Sequence, residues 1–457
     1  MDMFCKSILL LATGFCISAC AQFPKRDTQT CDKLEPALLP YIEQGIFQGN
    51  LLLAKDGKVL CLRSIGFADE SNKTPISNTS RFPIASLSKP IVATLLLKLQ
   101  ENGTLDLQTT LDKYLPEFKA PWANQVTLHH LLTNRSGVPN HFLLPGWGTG
   151  RYQQTLPKNE LLNEIARMEL AFTPGTQYLY SNLGWLLLGE VVESATSKEI
   201  EENLQEHIFA PLSMQHTGLV YQTQTPLVTG LRWGKKGGWQ PQNDLHMQVF
   251  NAGGGIYSTA EDLLRYLSAL HQEDVLTPQS KRLMFSADSP YGWRIDTLTL
   301  ANKVEKQVHS YDGKLQGHSS LAYQVLADNV SLIVLSNTGI GPVHKGTLAN
   351  DILRAFYSLP YPDRKDAPSL KLNRGLLDNQ WASTLNKIKS QPIEDPHTKV
   401  LLIDLAQQLG WSGNRLKAID LYTWLMNNFP ENHELKIRLD RLCYFHSDYN
   451  ACQPTKN

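Results

Sequence analysis

Apolar and polar positions recur along this chain with two different periods, and the places where each runs outline a fold. In "GNLLLAKDGKVLCLRSIGFAD" (Gly49–Asp69) two apolar runs flank Asp56-Gly57, a two-residue turn signal, so the segment predicts a β-hairpin. "AYQVLADNVSLIVLSN" (Ala322–Asn337) repeats that pattern around Asp328-Asn329. Between them the spacing is helical in Ile91–Gln100, Leu161–Leu170, Leu183–Ser194 and Thr259–Leu270, with Thr259 as N-cap ahead of Glu261 and Asp262. Strands at both ends and helices between predict an α+β fold. Its antiparallel sheet is built from both ends of the domain and flanked by helices, with a helical subdomain inserted.

From about Leu359 the texture changes. "LPYPDRKDAPSLKLNRG" is rich in proline and charge, so 361–392 reads as a linker after a domain over 37–360. Beyond it, helical spacing over Thr398–Gly410, Gly413–Asn428 and Asn432–Phe445 predicts a small all-α segment across 393–457. "LLIDLAQQLGWSGNRLKAIDLYTWLMNNFPEN" (Leu401–Asn432) resembles one tetratricopeptide unit, with Ala418 and Tyr422 at packing positions and Pro430 closing the second helix. A plain helical hairpin is the alternative. One such unit buries little of its own face, so it is expected to pack on the main domain or on a protein partner.

The first residues have their own pattern. "KSILLLATGFCISAC" places Lys6 before an apolar run from Ile8 to Ile17, too short for a comfortable bilayer span but suited to a signal peptide over 1–20. "ISAC" (Ile17–Cys20) resembles the bacterial lipoprotein cleavage box, which implies lipidation at Cys20 and a tether over 21–36. Ordinary cleavage after Ala21 is the competing reading. Either way the expectation is an exported protein of the bacterial cell envelope, held by a lipid anchor at the periplasmic face or outer membrane on the first reading. Once the signal is gone and Cys20 acylated, Cys31, Cys61, Cys443 and Cys452 remain, and an oxidising compartment permits disulfides in three connectivities. The local pairs Cys31–Cys61 and Cys443–Cys452 are expected, against reduced, buried thiols as the alternative. Composition adds one exclusion. With 43 basic and 43 acidic residues among 457, the net charge is zero, so nothing electrostatic points to nucleic acid.

The candidate chemistry begins in "RFPIASLSKPIVATLLLKLQENG" (Arg81–Gly103). With Ser86 near the start of the helix, Lys89 three residues on shares its face while Ser88 points elsewhere. Pro90 is tolerated in a first turn, where backbone donors lack helical partners anyway. A serine hydroxyl is a poor nucleophile until something takes its proton, and a lysine whose pKa burial has lowered is a plausible acceptor. A capping serine followed by a solvated lysine is the bland reading of the same spacing. "FTPGTQYLYSNLGWLLLGEVVE" (Phe172–Glu193) adds Tyr180 and Asn182, two apart in an expected loop, a phenol for proton relay and an amide for a peptide-like carbonyl.

With these motifs the chain resembles the serine β-lactamase and penicillin-binding-protein-like hydrolases, in the branch of class C β-lactamases, D-amino-acid peptidases and esterases. The likeness runs from about 37 to 360. It also covers "VTLHHLLTNRSGVPN" (Val126–Asn140), "FAPLSMQHTGL" (Phe209–Leu219) and "NAGGGIYSTAEDLL" (Asn251–Leu264). The resemblance implies Ser86 as the acylated nucleophile, Lys89 as its partner, Tyr180 as general base or proton relay, and Asn182 as the contact to a substrate amide. The family's third element, usually Lys-Thr-Gly or His-x-Gly on a strand, matches "HSYDGKLQGHSS" (His309–Ser320), which puts Tyr311 where the family has lysine or histidine. On a strand His309, Tyr311 and Gly313 share a face, so His309 is a candidate to compensate in part. The implied oxyanion hole is made by the backbone N–H groups of Ser86 and Lys314.

The resemblance therefore implies a serine hydrolase acting on a small ester, amide or D-amino-acid peptide, with β-lactam turnover disfavoured by Tyr311. The rival reading keeps the fold but makes it an inactive envelope adaptor. No cofactor is implied. Leu128–His130 lacks ligand spacing for a metal, Asn251–Gly255 reads as a loop with unusual backbone angles near the cleft, and "LLTNRSGVPN" reads as a buttress.

Overall fold

Both hairpins form, and they pair with each other. The structure, a computed structural model, describes residues 28–444 apart from 72, 148–150, 154–155, 222, 243–246, 273–274, 300–303 and 394. The expected signal peptide, Cys20, and Cys452 of the expected Cys443–Cys452 pair lie outside the described residues.

Helix α1 (Thr28–Glu43) opens the described chain, ahead of β1 (Gly49–Lys55) and β2 (Lys58–Ile65). The expected tether is thus helical from Thr28, because Leu34, Ala37, Leu38 and Tyr41 form a helical stripe that is buried. The Cys31–Cys61 disulfide ties this helix to β2. The β1–β2 turn has Asp56 at φ 50° and Gly57 at φ 72°, the two left-handed positions that a tight hairpin needs. Among the helices that follow, α2 (Ser88–Glu101), α3 (Asn182–Thr196) and α4 (Ala260–Gln272) fill the predicted insert; Thr259 Oγ1 caps α4 by accepting from Asp262 N at 3.1 Å. The chain then returns to the sheet with β3 (Arg294–Thr299), β4 (Glu305–Leu315), β5 (His318–Val325) and β6 (Val330–Ser336), followed by α5 (Pro342–Phe356). The sheet order is β3-β4-β5-β6-β1-β2, every neighbour antiparallel, with β6 on β1 joining the two ends of the domain.

The inner strands alternate between two cores. Leu52, Ala54, Tyr311, Ala322, Ile333 and Leu335 face the helical insert, while Leu51, Leu53, Val308, Leu321, Leu332 and Val334 face α1 and α5. Buried on both faces, β1 and β6 read as near-continuous apolar runs.

The expected linker is not one. Its text forms α6 (Pro368–Leu377) and α7 (Trp381–Lys389), with Pro368 at the first helical position and Leu370, Leu372, Leu376, Trp381, Leu385 and Ile388 buried. Helices α8 (Pro396–Trp411), α9 (Arg415–Asn428) and α10 (His433–Tyr444) follow, and Ala418, Tyr422 and Leu425 of α9 are buried in their common core. That core is shared with the main body. Trp233 enters it and its Nε1 donates to Asn373 Oδ1 at 2.9 Å, the Gly238 N–H donates to Leu377 O at 2.7 Å, and His344 of α5 meets Asp404 of α8 at 2.9 Å. The C-terminal helices thus pack on the main domain, one of their two expected destinations. No helix among the described residues is long and apolar enough to cross a membrane.

Candidate active site

Ser86 sits in a 3-10 turn, Ala85–Leu87, that runs straight into α2. The residue before it, Ala85, has φ 51°, a left-handed conformation costing a non-glycine residue about 1–2 kcal/mol. The surroundings hold it there. Ile84 N–H donates to Ile256 O at 2.9 Å, Ser320 Oγ of β5 donates to Ile84 O at 2.5 Å, and Ser88 Oγ donates to Ala85 O at 2.7 Å while accepting from Ile256 N at 3.1 Å. Ser88 therefore braces the turn, and Ser86 is left half-buried with its hydroxyl free for other partners.

Those partners are Tyr180 and Lys89. Ser86 Oγ lies 2.6 Å from Tyr180 OH and 3.1 Å from Lys89 Nζ. Lys89 is fully buried, and its Nζ also donates to Asn182 Oδ1 at 2.8 Å and to the Gly253 carbonyl. No salt bridge reaches Lys89 among the described residues. Burial therefore dominates and pushes its pKa well below 10.5, with only partial opposition from the more distant Asp312. Burial acts on the Tyr180 phenol in the opposite sense and raises its pKa, so in both groups it favours the neutral form, a protonated phenol and an unprotonated amine.

Asn182 is the first residue of α3 rather than part of a loop. Ser181 is the N-cap, its Oγ accepting from Gly184 N at 3.0 Å and donating to Pro139 O at 2.8 Å. Tyr180 and Asn182 converge because the cap turns the chain around Lys89. The segment "LLTNRSGVPN" does buttress this corner. Asn134 Oδ1 accepts from Ser181 N and Trp185 Nε1, both at 3.3 Å, and Asn140 Oδ1 accepts from Asn182 N at 3.0 Å. His141, not singled out in the sequence, lies 3.0 Å from Asn182 Nδ2. Burial and the nearby Lys89 push its pKa down to about 3, so it stays neutral.

The Asn251–Gly255 expectation needs correction. These residues form a short helix, Asn251–Gly254, and none of the three glycines has a positive φ. Glycine is needed there for closeness: a Cβ on Gly253 would stand 3.0 Å from Trp185 Cβ and 3.5 Å from Lys89 Nζ. The histidines of Leu128–His130 are structural. His130 completes the Thr127 capping box and His129 Nδ1 lies 2.7 Å from Tyr291 OH, while no metal-type cluster occurs among the described residues.

Strand β4 packs against the turn that carries Ser86. Gly313 lies flush on that turn, since a Cβ there would be 2.1 Å from Ile84 O and 2.9 Å from Ala85 Cβ. Tyr311 is buried on the same face, and burial raises its pKa well above 10. His309 shares that face but is stacked on Phe285 with ring centroids 4.1 Å apart. Burial lowers its pKa to about 4, so it brings no charge to stand in for a lysine. The cation beside Tyr311 is Arg294 of β3, its guanidinium 5.3 Å from the ring centroid and paired with Asp312. Sequence reading missed Arg294, because only the β3–β4 register brings Arg294 opposite Ser310. The Lys314 side chain turns to the other face, where burial is the main influence and its pKa falls to about 8 in the fields of Asp404, Lys345 and Asp312.

The family profile described as Beta-lactamase matches residues 30–355. The chain belongs to the beta-lactamase family. Among its relatives are a penicillin-binding protein of Bacillus subtilis, 26% identical over 73% of this chain and 77% of its own length, and a D-aminopeptidase of Cereibacter sphaeroides, 28% identical over 68% and 60%. Esterase EstB of Burkholderia gladioli is 30% identical over 50% of this chain and 67% of its own. The chain spans about three fifths of the D-aminopeptidase's length. In structure it resembles the D-amino acid amidase of Ochrobactrum anthropi, with a TM-score of 0.62 and 22% identity over 72% of this chain and 99% of that one. The sheet, insert and helical C-terminal segment described above are this chain's form of the beta-lactamase fold.

Proposed function

We propose that Ser86 forms an acyl-enzyme with a small ester, amide or D-amino-acid peptide, and that water then releases the acyl group. The contact of one half-buried hydroxyl with both a carboxylate-free buried amine and a protonated phenol carries this reading. In the neutral amine of Lys89 the two N–H groups are taken by Asn182 Oδ1 and Gly253 O, which leaves the lone pair directed at the Ser86 hydroxyl. Lys89 accepts that proton as Ser86 attacks the carbonyl. The Tyr180 phenol hands its own proton to the leaving group and is resupplied from the lysine. Because the two groups exchange protons, their titration belongs to the pair. The N–H groups of Ser86 and Lys314 hold the oxyanion, and Asn182 reaches a substrate amide.

Position 311 supplies a hydroxyl where a substrate carboxylate would meet a cation, His309 is neutral, and Arg294 is already engaged by Asp312. Neutral esters and amides therefore suit the cleft better than β-lactams. An exported protein anchored through Cys20 remains part of the proposal, supported by the "ISAC" segment and by the Cys31–Cys61 disulfide. Membrane release on Cys20→Ser tests the anchor.

The enzyme is tested with a fluorophosphonate probe and p-nitrophenyl esters. Labelling of Ser86 detected by mass, lost in Ser86→Ala together with ester turnover, is the expected result. No labelling, and turnover no higher than that of Ser86→Ala, favours an adaptor instead. Tyr311→Lys should improve acylation by penicillin; no improvement overturns the account of that position.

A further inference from the structure

Behind β4, on the face away from Ser86, lies a second fully buried lysine. Lys345 of α5 has no exposed surface, and its Nζ donates to Gly313 O at 2.6 Å, Ser320 O at 3.0 Å and Asp312 Oδ2 at 3.1 Å. Asp312 is also paired with Arg294, and these two cations hold its carboxyl well below the usual carboxylate range against the effect of burial. The Gly313 carbonyl belongs to the same peptide unit as the Lys314 N–H. In a trans peptide the two groups point in opposite directions, so an ammonium on the carbonyl leaves the N–H directed away from Lys345. Gly313 itself lies against Ile84 and Ala85, the two residues before Ser86, so this N–H sits on the stretch of strand that borders the nucleophile.

We propose that Lys345 is a positioning residue for acyl transfer: it fixes the Gly313–Lys314 peptide and polarises its N–H toward the oxyanion. The inference rests on the reading of Lys314 N–H as an oxyanion donor. Physically, a cation at a carbonyl oxygen favours the resonance form with a C=N bond and positive nitrogen, which makes the attached N–H a stronger donor. It does so from a dry site, where the charge is poorly screened and is in place before the reaction starts. The C-terminal helices take part in the same arrangement. Asp404 of α8 pairs with His344, the neighbour of Lys345, and its charge acts on the Lys314 side chain. The peptide is thus gripped in front by the close approach of Ile84 and Ser320 and behind by α5 and α8.

The test is Lys345→Met in the full chain, assayed with p-nitrophenyl acetate and its thionoacetate analogue. A sulfur anion gains far less from N–H donors than an oxyanion, so the ester-to-thionoester ratio of kcat reports the donor itself. Losing an entire oxyanion donor costs roughly 100- to 1,000-fold in kcat, so weakening one should cost about tenfold. The expected result is a kcat for the ester lowered about tenfold, KM within about twofold, and the ratio lowered by about the same tenfold. Equal losses on both substrates, or no loss, overturn the proposal, because a purely structural role moves both alike. If the single variant shows no cooperative thermal transition, Lys345→Met/Asp312→Asn, which leaves no buried carboxylate without its ammonium, is assayed and judged by the same ratio. Wild-type protein that neither labels at Ser86 nor turns over ester removes the reading of the site and this inference with it. Wild-type turnover with an unchanged ratio in the variant removes this inference alone.

Discussion

Lys89 and Lys345 stand on opposite faces of the sheet, neither with exposed surface, and their surroundings differ in charge. Lys89 has a hydroxyl, an amide oxygen and a backbone carbonyl as partners, none of them charged, so desolvation goes largely unopposed. Lys345 also has two carbonyls, but its third partner is the Asp312 carboxylate, which opposes the desolvation. Burial lowers the pKa of both, but for Lys345 the Asp312 carboxylate opposes it from hydrogen-bond distance, whereas Lys89 has only the more distant influence of Asp312. Burial alone does not make a base; burial without a counter-ion does.

The sharpest way to break this comparison is to replace each amine by a methionine of similar length. Lys89→Met should lower acylation of Ser86 by about 1,000-fold, as loss of a general base does, while stability at pH 7 stays level or rises because a desolvated amine has gone. Lys345→Met should lower kcat only about tenfold but cost roughly 3 kcal/mol of stability because Asp312 is left with one cation, measured by urea unfolding. Equal stability changes in the two variants would erase the distinction.

The pH profile sharpens the first half. With its folded pKa below the unfolded value, Lys89 is protonated in the unfolded chain and neutral in the folded one between those two values. Stability should therefore rise with pH across that window, and Lys89→Met should flatten the rise. Ester kcat/KM should climb through the same lowered pKa and level off well below 10.5, because Tyr180 is held protonated. A rate still rising at the ordinary phenol pKa of about 10 would instead make the Tyr180 phenolate the base. Next in size, Tyr180→Phe should cost about 100-fold in kcat with KM little changed, the lower end for a lost proton relay. The smallest effect is at the strained turn. Ala85→Gly relieves the left-handed conformation and should raise stability by at most about 1 kcal/mol, read as a shift in the urea midpoint.

Much of this was legible residue by residue. Asp56-Gly57 announces its hairpin because few residues accept consecutive left-handed angles, and Thr259 announces its helix because its side chain satisfies a donor the helix leaves open. Ser86 and Lys89 lie one turn apart, so local geometry places them together before any tertiary contact forms. Other elements misled for equally local reasons. Proline and charge across 361–392 look like a linker, yet Pro368 starts a helix and the charges line its exposed side. Residues 21–36 look like a polar tether, yet Leu34, Ala37, Leu38 and Tyr41 recur at helical spacing from Thr28 onward and are buried.

By itself the chain's order of residues determined the two hairpins, the principal helices of the insert, and the pairing of the Ser86 hydroxyl with an amine one turn away, because turn preference, hydrophobic period and cap chemistry act over a few neighbouring residues. Only tertiary structure decided how burial and charge act at each lysine, the neutrality of His309 and the arrival of Arg294 beside Tyr311. It likewise decided that Lys345 lies under a peptide more than thirty positions away. Those properties depend on which groups water has been removed from and which charges remain nearby, and neither is set until distant segments meet.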